Sequence, residues 1–431
     1  MKTTALGVAF AFALLGVADP ARALDLDAVF REVAATNPTL AARREIVEAA
    51  ERRVGPSGAW QSPMIELGAV NVPTSGRFDQ DMMTMKVFGV SQRVPLFGSN
   101  RISRSSAQAA AGAEGAGLEM ARYLAFAMAW EAYADAYYAE RLVRAAGAHQ
   151  GDLDRLVRSA QVRYESGNGR LEDMLRAQAE RAHGVADLVG YQAEARGARA
   201  RLATLMGRDP SAFGDSLSPP PTVPVPDRPD AWLAAIGDSH PRLRELQAQV
   251  DRYQLSARAS RRTAWPDLEL RGSYGVREPI DGVVAQDNLW SATVGFMLPI
   301  FTGAREQSEG KEMDAMALSY QAERHAAALD LRQQVLATHA TALSDQRTVG
   351  LLADTVLVMQ RRAVEASWST YSTGSSDLWR VLEATHSLFG EDVALVRARQ
   401  DLARTEARLL AITARGDLLS VALPPPAGKE R

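Results

Sequence analysis

Among its 431 residues the sequence has no cysteine. That excludes a disulfide-stapled fold, a thiolate metal site and a lipid anchor carried on an N-terminal cysteine. Charge of one sign is also lacking: 49 Lys and Arg stand against 52 Asp and Glu, a net of −3. Such a balance gives no bulk reason to bind nucleic acid or to sit on a membrane through a polybasic patch. Beyond the first 23 residues no run reaches the roughly 18 apolar residues that a spanning helix needs. Enzyme signatures are missing as well, since the six His form no HExxH and neither a GxSxG elbow nor a GxxxxGK phosphate loop occurs.

The N-terminus supplies the first positive signal. Met1-Lys2 is basic, Ala5 to Ala18 is apolar, and "ARA" at Ala21 to Ala23 offers small residues for cleavage. This predicts a secretory signal peptide over 1–23 and a mature chain from about Leu24, with no lipid anchor. An exported chain without a helical span can enter a membrane only through β-strands.

Internal repetition is the second signal. "VPLFGSNR" from Val94 recurs as "LPIFTGAR" from Leu298, 204 residues on at the proline. "NPTL" at Asn37 recurs as "HPRL" at His240, offset by 203, and "RYESG" at Arg163 recurs as "TYSTG" at Thr370, offset by 207. Three motifs repeated in one order mark a tandem duplication. The boundaries follow: a first repeat over 24–217, a proline-rich linker over 218–230, a second repeat over 231–416 and a tail over 417–431.

Each repeat reads as a first helix, two strands and two long helices. The first helices are expected from Leu26 to Ala59 and from Trp232 to Ala264. Alternation places strands at about 64–72, 82–94, 267–276 and 289–298; in the last, Trp290, Ala292, Val294 and Phe296 share one face. From Ser99 to Glu165 and from Ala304 to Tyr371 there is no proline, so each stretch predicts a helix of roughly 100 Å. Return helices are expected at about 170–206 and 377–415. Apolar residues recur at sevens, as in Val381, Leu388, Leu395, Leu402 and Leu409, which predicts coiled-coil packing. The expected fold is therefore mainly α with a membrane β part. Four strands are too few to close a barrel, so several chains must share one.

The paired "NP" and "HP" starts, the junctions at Pro95, Gly98, Pro299 and Gly303, and the YxxG turns at Tyr164/Gly167 and Tyr371/Gly374 resemble the TolC family of outer-membrane efflux channels. The resemblance covers nearly all of the mature chain. It implies a homotrimer with a 12-stranded barrel in outer-membrane lipid and a helical tunnel across the periplasm. It also implies that a periplasmic adaptor and an inner-membrane pump, such as an RND transporter, dock at the tip formed by Tyr164, Gly167 and Gly374. No cofactor is implied.

By the same resemblance a gate lies at the hairpin turns. Asp173 matches the family's carboxylate and Tyr371 its tyrosine, while Ser376 replaces its arginine. Arg380, one turn on, could serve instead, and Glu383 matches an acidic position that forms a carboxylate ring. Asp377 reads as a first-turn acid that favours the helix N-terminus. "SPMIELGAVNVP" around Pro63 looks closer to the heavy-metal branch. Met82, Met83 and Met85 are thioethers of the kind that bind Cu(I) or Ag(I), although lipid-facing or loop methionines are the simpler reading and no resident metal is expected. His325 and His339 read as surface or tunnel residues. Two other readings stay open on sequence: an exported coiled-coil protein without a pore, which leaves the paired strands unexplained, and a periplasmic adaptor, which needs more short strands.

Overall fold

The computed structural model describes residues 23–211, 213–280, 285–297 and 303–415. Pro299, the 417–431 tail and all but the last residue of the predicted leader lie outside them.

The chain opens with α1 (Leu26–Thr36), whose N-cap Asp25 accepts the Ala28 N–H at 2.7 Å. The single helix expected from Leu26 to Ala59 is broken at Asn37. Pro38 disfavours helical geometry at the residue before it, and Asn37 sits extended at φ −62°, ψ 120°. Its Oδ1 accepts the N–H groups of Thr39 (3.0 Å) and Leu40 (3.1 Å), capping α2 (Pro38–Ser57).

Strands β1 (Met64–Val70) and β2 (Met85–Val94) follow, then α3 (Ser99–Glu165) and α4 (Leu171–Leu205). In the second repeat a one-turn α5 (Asp230–Leu233) precedes α6 (Pro241–Thr263), so the helix expected from Trp232 to Ala264 is also broken before a proline. Next come β3 (Asp267–Val276), β4 (Leu289–Met297) and α7 (Gly303–Leu351). A π-helical turn at Leu352–Val356 leads into α8 (Leu357–Ser372), and α9 (Leu378–Thr413) returns. The uninterrupted helix expected over Ala304 to Tyr371 thus carries a defect, whereas α3 runs its 67 residues without one.

The NP and HP motifs do the same work. Asn37 Nδ2 donates to Leu205 O at 2.9 Å, at the end of α4. His240 Nδ1 accepts the Arg242 N–H at 3.3 Å, and its Nε2 lies 3.0 Å from Ile412 O near the end of α9. In each repeat, the residue before proline caps one helix and ties down the C-terminus of the return helix. Because Nδ1 accepts, Nε2 carries the proton, and His240 is neutral; burial lowers its pKa.

The core lies where α1 crosses α3. Phe30 packs on Phe126 (centroids 5.0 Å) and edge-on to Trp130 (6.4 Å). Ala129, Ala132 and Ala136 are buried here, letting backbones approach. Around the middle runs the proline-rich strap, whose prolines offer carbonyls but no N–H. Side chains meet it accordingly: the Tyr133 hydroxyl lies 2.6 Å from Ser218 O, His339 Nε2 2.7 Å from Pro226 O, and Glu406 Oε1 accepts the Val223 N–H at 3.2 Å. His339 is therefore a buried strap anchor and not the surface or tunnel residue expected, while His325 is exposed on α7.

The strands form one antiparallel sheet in the order β1-β2-β3-β4. Its register aligns Leu67, Phe88, Tyr274 and Trp290 across all four strands. β2 begins at Met85 rather than near 82, which leaves Met82 and Met83 exposed in the preceding turn.

Candidate functional site

Two regions have features that packing alone does not explain: the sheet, and the tip where the hairpins turn. On one face of the sheet Ile65, Leu67, Phe88, Val90, Val294 and Trp290 stand exposed, Ile65 and Leu67 at 72% and Trp290 at 78%. The other face carries Glu66, Ser91, Glu269, Arg271, Ser273 and Thr293. There Arg271 pairs with Glu66 (3.2 Å) and Glu269 (3.3 Å). A sheet with a bare apolar face and an ion-paired polar face is built to separate lipid from water. Among the described residues, the outer edges of β1 and β4 have no hydrogen-bonded neighbour strand.

Below the sheet, Gly98 at φ 70° starts α3, and Asn100 Nδ2 holds Ala59 O at 2.8 Å. Phe97, two residues after Pro95, packs on Trp265 (5.0 Å). Gly303 is the first residue of α7. Of the methionines, Met85 packs against Gly275 across the sheet, where a Cβ would come within 2.6 Å of its sulfur.

The tip turns are duplicates in detail. After α3, Gly167 N–H binds Tyr164 O (3.0 Å) and Asn168 N–H binds Arg163 O (2.9 Å); after α8, Gly374 N–H binds Tyr371 O (3.1 Å) and Ser375 N–H binds Thr370 O (2.9 Å). Both glycines are left-handed, at φ 75° and 76°. These are Schellman ends, so YxxG encodes a tyrosine carbonyl and a left-handed glycine. The tyrosine rings then part ways. Tyr164 is exposed, whereas Tyr371 is 4% exposed among Leu156, Ala160, Leu378 and Val381.

Arg163 joins the two hairpins. Its Nη1 donates to Tyr371 O at 2.7 Å, and its guanidinium lies 4.7 Å from the centre of the Tyr371 ring. Burial raises the pKa of Tyr371; Arg163 and a hydrogen bond to Ser159 oppose that, and Asp173 adds to it. A second bridge has the same sense: Arg176 of α4, paired with Glu172 (3.4 Å), lies 5.1 Å over Trp379 of α9. Asp173 and Tyr371 line one polar cleft of 410 Å³ together with Arg163, Arg170, Arg176 and Ser376.

Other expected tip residues are placed differently. Arg380 and Glu383 are exposed on α9 and have no ion-pair partner among the described residues. Among the described residues the Ser376 hydroxyl meets only that of Thr370, at 3.3 Å. Asp377 is the N-cap of α9 rather than a first-turn residue, and its side chain makes no capping hydrogen bond. Arg163, Arg176 and Trp379 were not legible as site residues. The only cue was an unpaired aromatic at the start of a polar helical turn.

Comparison with known proteins agrees with this architecture. The family model for outer membrane efflux proteins matches residues 29–208 and again 232–415, once per repeat. Outer membrane efflux protein BepC of Brucella suis is 24% identical over 286 residues, which is 66% of this chain and 62% of that protein. The chain thus spans under two thirds of that relative's length. The outer-membrane channel OprN superposes with a TM-score of 0.75 at 18% identity, over 91% of this chain and 90% of that one. VceC of Vibrio cholerae gives 0.74 at 17%, over 91% and 96%. At such identities these structures establish the fold, with two repeats each of helix, two strands and long helices. Matched twice by the family model over most of its length, the chain belongs to the outer membrane efflux protein family, the TolC-like channels, and is not an enzyme.

Proposed function

We propose that this chain is the outer-membrane exit duct of a tripartite efflux pump, open to passive flow and driven by its partners. The observation that carries the proposal is the open four-stranded sheet: apolar and exposed on one face, ion-paired on the other and, among the described residues, unpartnered at both edges. Lipid tolerates no free strand edge. Three copies joined β4 to β1 would give a closed barrel of 12 strands, with Arg271, Glu66 and Glu269 lining its lumen. The hairpins then cross the periplasm and meet the adaptor and the inner-membrane pump at the Tyr164, Gly167 and Gly374 turns.

The tip is the gate in this reading. The cleft shared by Asp173 and Tyr371 supports it, and in this reading Arg163 supplies the positive charge that Ser376 does not. Arg380 and Glu383, exposed on the α9 surface, would meet a neighbouring protomer in this reading, where three Glu383 carboxylates would favour cations. Metal ions as cargo are a finer proposal resting on the "SPMIELGAVNVP" stretch, which supplies β1; drugs, peptides or proteins compete with them. Conductance in planar bilayers tests the duct and the gate together. Asp173→Ala, Tyr371→Phe and Arg163→Ala should each raise single-channel conductance. If the wild type forms no channel the duct is wrong, and if all three variants conduct like it the gate lies elsewhere.

A further inference from the structure

Directly beneath the sheet, charge is unevenly placed. The seven membrane-proximal residues of each of α2, α3, α6 and α7 together hold eight arginines (52, 53, 101, 104, 258, 261, 262 and 305) and three glutamates (51, 306 and 309). That is a surplus of five positive charges in a chain whose net charge is −3. Arg52 pairs with Glu48, Arg261 with Asp314 and Arg305 with Glu309. The other five, Arg53, Arg101, Arg104, Arg258 and Arg262, are exposed and have no acidic partner among the described residues. Helix polarity adds no net charge here, because the N-termini of α3 and α7 stand beside the C-termini of α2 and α6, so the surplus is carried by the side chains.

The order of side chains along the axis identifies the partner. First comes the exposed apolar face of the sheet, then exposed aromatics at its lower rim, Trp60 (61%) and Trp265 (54%), and then the arginines. Apolar band, aromatic girdle and cations, in that sequence, trace the passage from hydrocarbon to headgroup. Seven helical residues cover about 10 Å, which is comparable with a headgroup layer. Between α2, α3 and α6 a groove of 570 Å³ is lined by Arg53, Ser57, Ser103, Glu114, Arg252 and Ser256, with guanidinium and hydroxyl donors suited to a phosphodiester.

We propose that this arginine collar binds the headgroups of anionic phospholipids in the periplasmic leaflet, so that the channel gathers an anionic lipid annulus around its waist. The proposal rests on the barrel reading above. In a trimer the five partnerless arginines become fifteen, each a snorkelling side chain within reach of a phosphate.

The test is insertion of the full chain into nanodiscs of phosphatidylcholine, alone or doped with phosphatidylglycerol, with retained lipids identified by native mass spectrometry. Wild type should enrich phosphatidylglycerol over phosphatidylcholine. Combining Arg101→Gln, Arg104→Gln, Arg258→Gln and Arg262→Gln should cut that enrichment by about ten-fold or more. Arg158→Gln, Arg196→Gln, Arg332→Gln and Arg362→Gln, far along the helices, should leave it unchanged. The collar is overturned if the first set keeps the enrichment, if both sets lose it equally, or if inorganic phosphate at constant ionic strength displaces the lipid as a free anion would. Wild type that inserts into neither lipid overturns the barrel reading, a result separate from equal retention of the two lipids.

Discussion

Glu406 gives the most quantitative test of the packing. It is 4% exposed, and its carboxylate accepts a hydrogen bond only from the Val223 N–H of the strap among the described residues. Burial pushes its pKa up to about 7, with the Val223 N–H pulling the other way. A folded-state value raised above the unfolded one stabilises the protonated form. The contribution is full below the unfolded pKa near 4.5 and is lost as pH rises through 7. A shift of two to three units corresponds to about 3 kcal/mol per chain of destabilisation at pH 8 and above. Glu406→Gln keeps an acceptor for Val223 and removes the charge. Because unfolding entropy runs at about 2.1 cal/mol/K per residue, the variant should melt roughly 3–4 °C higher at pH 8 and almost unchanged at pH 4.5. Cooperative trimer unfolding scales both quantities alike and leaves that shift in place. The assay is circular dichroism melting of the detergent-solubilised protein at both pH values. An equal shift at the two pH values, or none at pH 8, would refute a buried carboxylate charging at neutrality.

Four further outcomes are expected. His240→Asn should be nearly neutral in thermal melts, since Asn37 does both jobs in the first repeat, while His240→Ala should cost about 1–2 kcal/mol. With its folded pKa lowered, His240 contributes stability that is present above the ordinary imidazole value of 6.5 and lost as pH falls below it, so melts of His240→Asn should be less acid-sensitive between pH 7 and 5. Gly374→Ala, at φ 76°, should cost about 1–2 kcal/mol and loosen the tip, read as faster proteolytic cutting there. Val294→Arg, on the apolar face, should cost about 2–4 kcal/mol and abolish heat-modifiable gel migration if that face meets lipid.

The sheet and the long helices were legible because their periods are strong. Trp290 to Phe296 alternate without exception, and the heptads of α9 persist through the helix. The breaks at Asn37 and His240 were legible only as motifs. Both X-Pro pairs were evident, but a side chain that caps one helix and grips another far away in sequence needs the tertiary fold to bring Leu205 and Ile412 near. The strap anchors were hidden for the same reason: a histidine on a long helix looks like surface until a proline-rich segment lies over it. At the tip, the resemblance pointed to Asp173 and Tyr371, which line one cleft. The cation came from the opposite hairpin, and pattern matching in one turn could not see Arg163.

The π-helical turn at Leu352–Val356 has a mechanical consequence. From Pro95 to Tyr164 the chain counts 69 residues, and from Pro299 to Tyr371 it counts 72. Three residues are worth about 4.5 Å of helix, yet Arg163 and Tyr371 hold both hairpins level at the tip. The surplus has to be taken up along the second rod, and a wider turn with i→i+5 bonding takes up part of it. The two rods of a protomer therefore differ in residue count, and the π-helical turn gathers part of the difference at one marked place. When the tip is pulled, the second hairpin has a built-in point of compliance that the first lacks, so dilation of the duct should begin at Leu352–Val356.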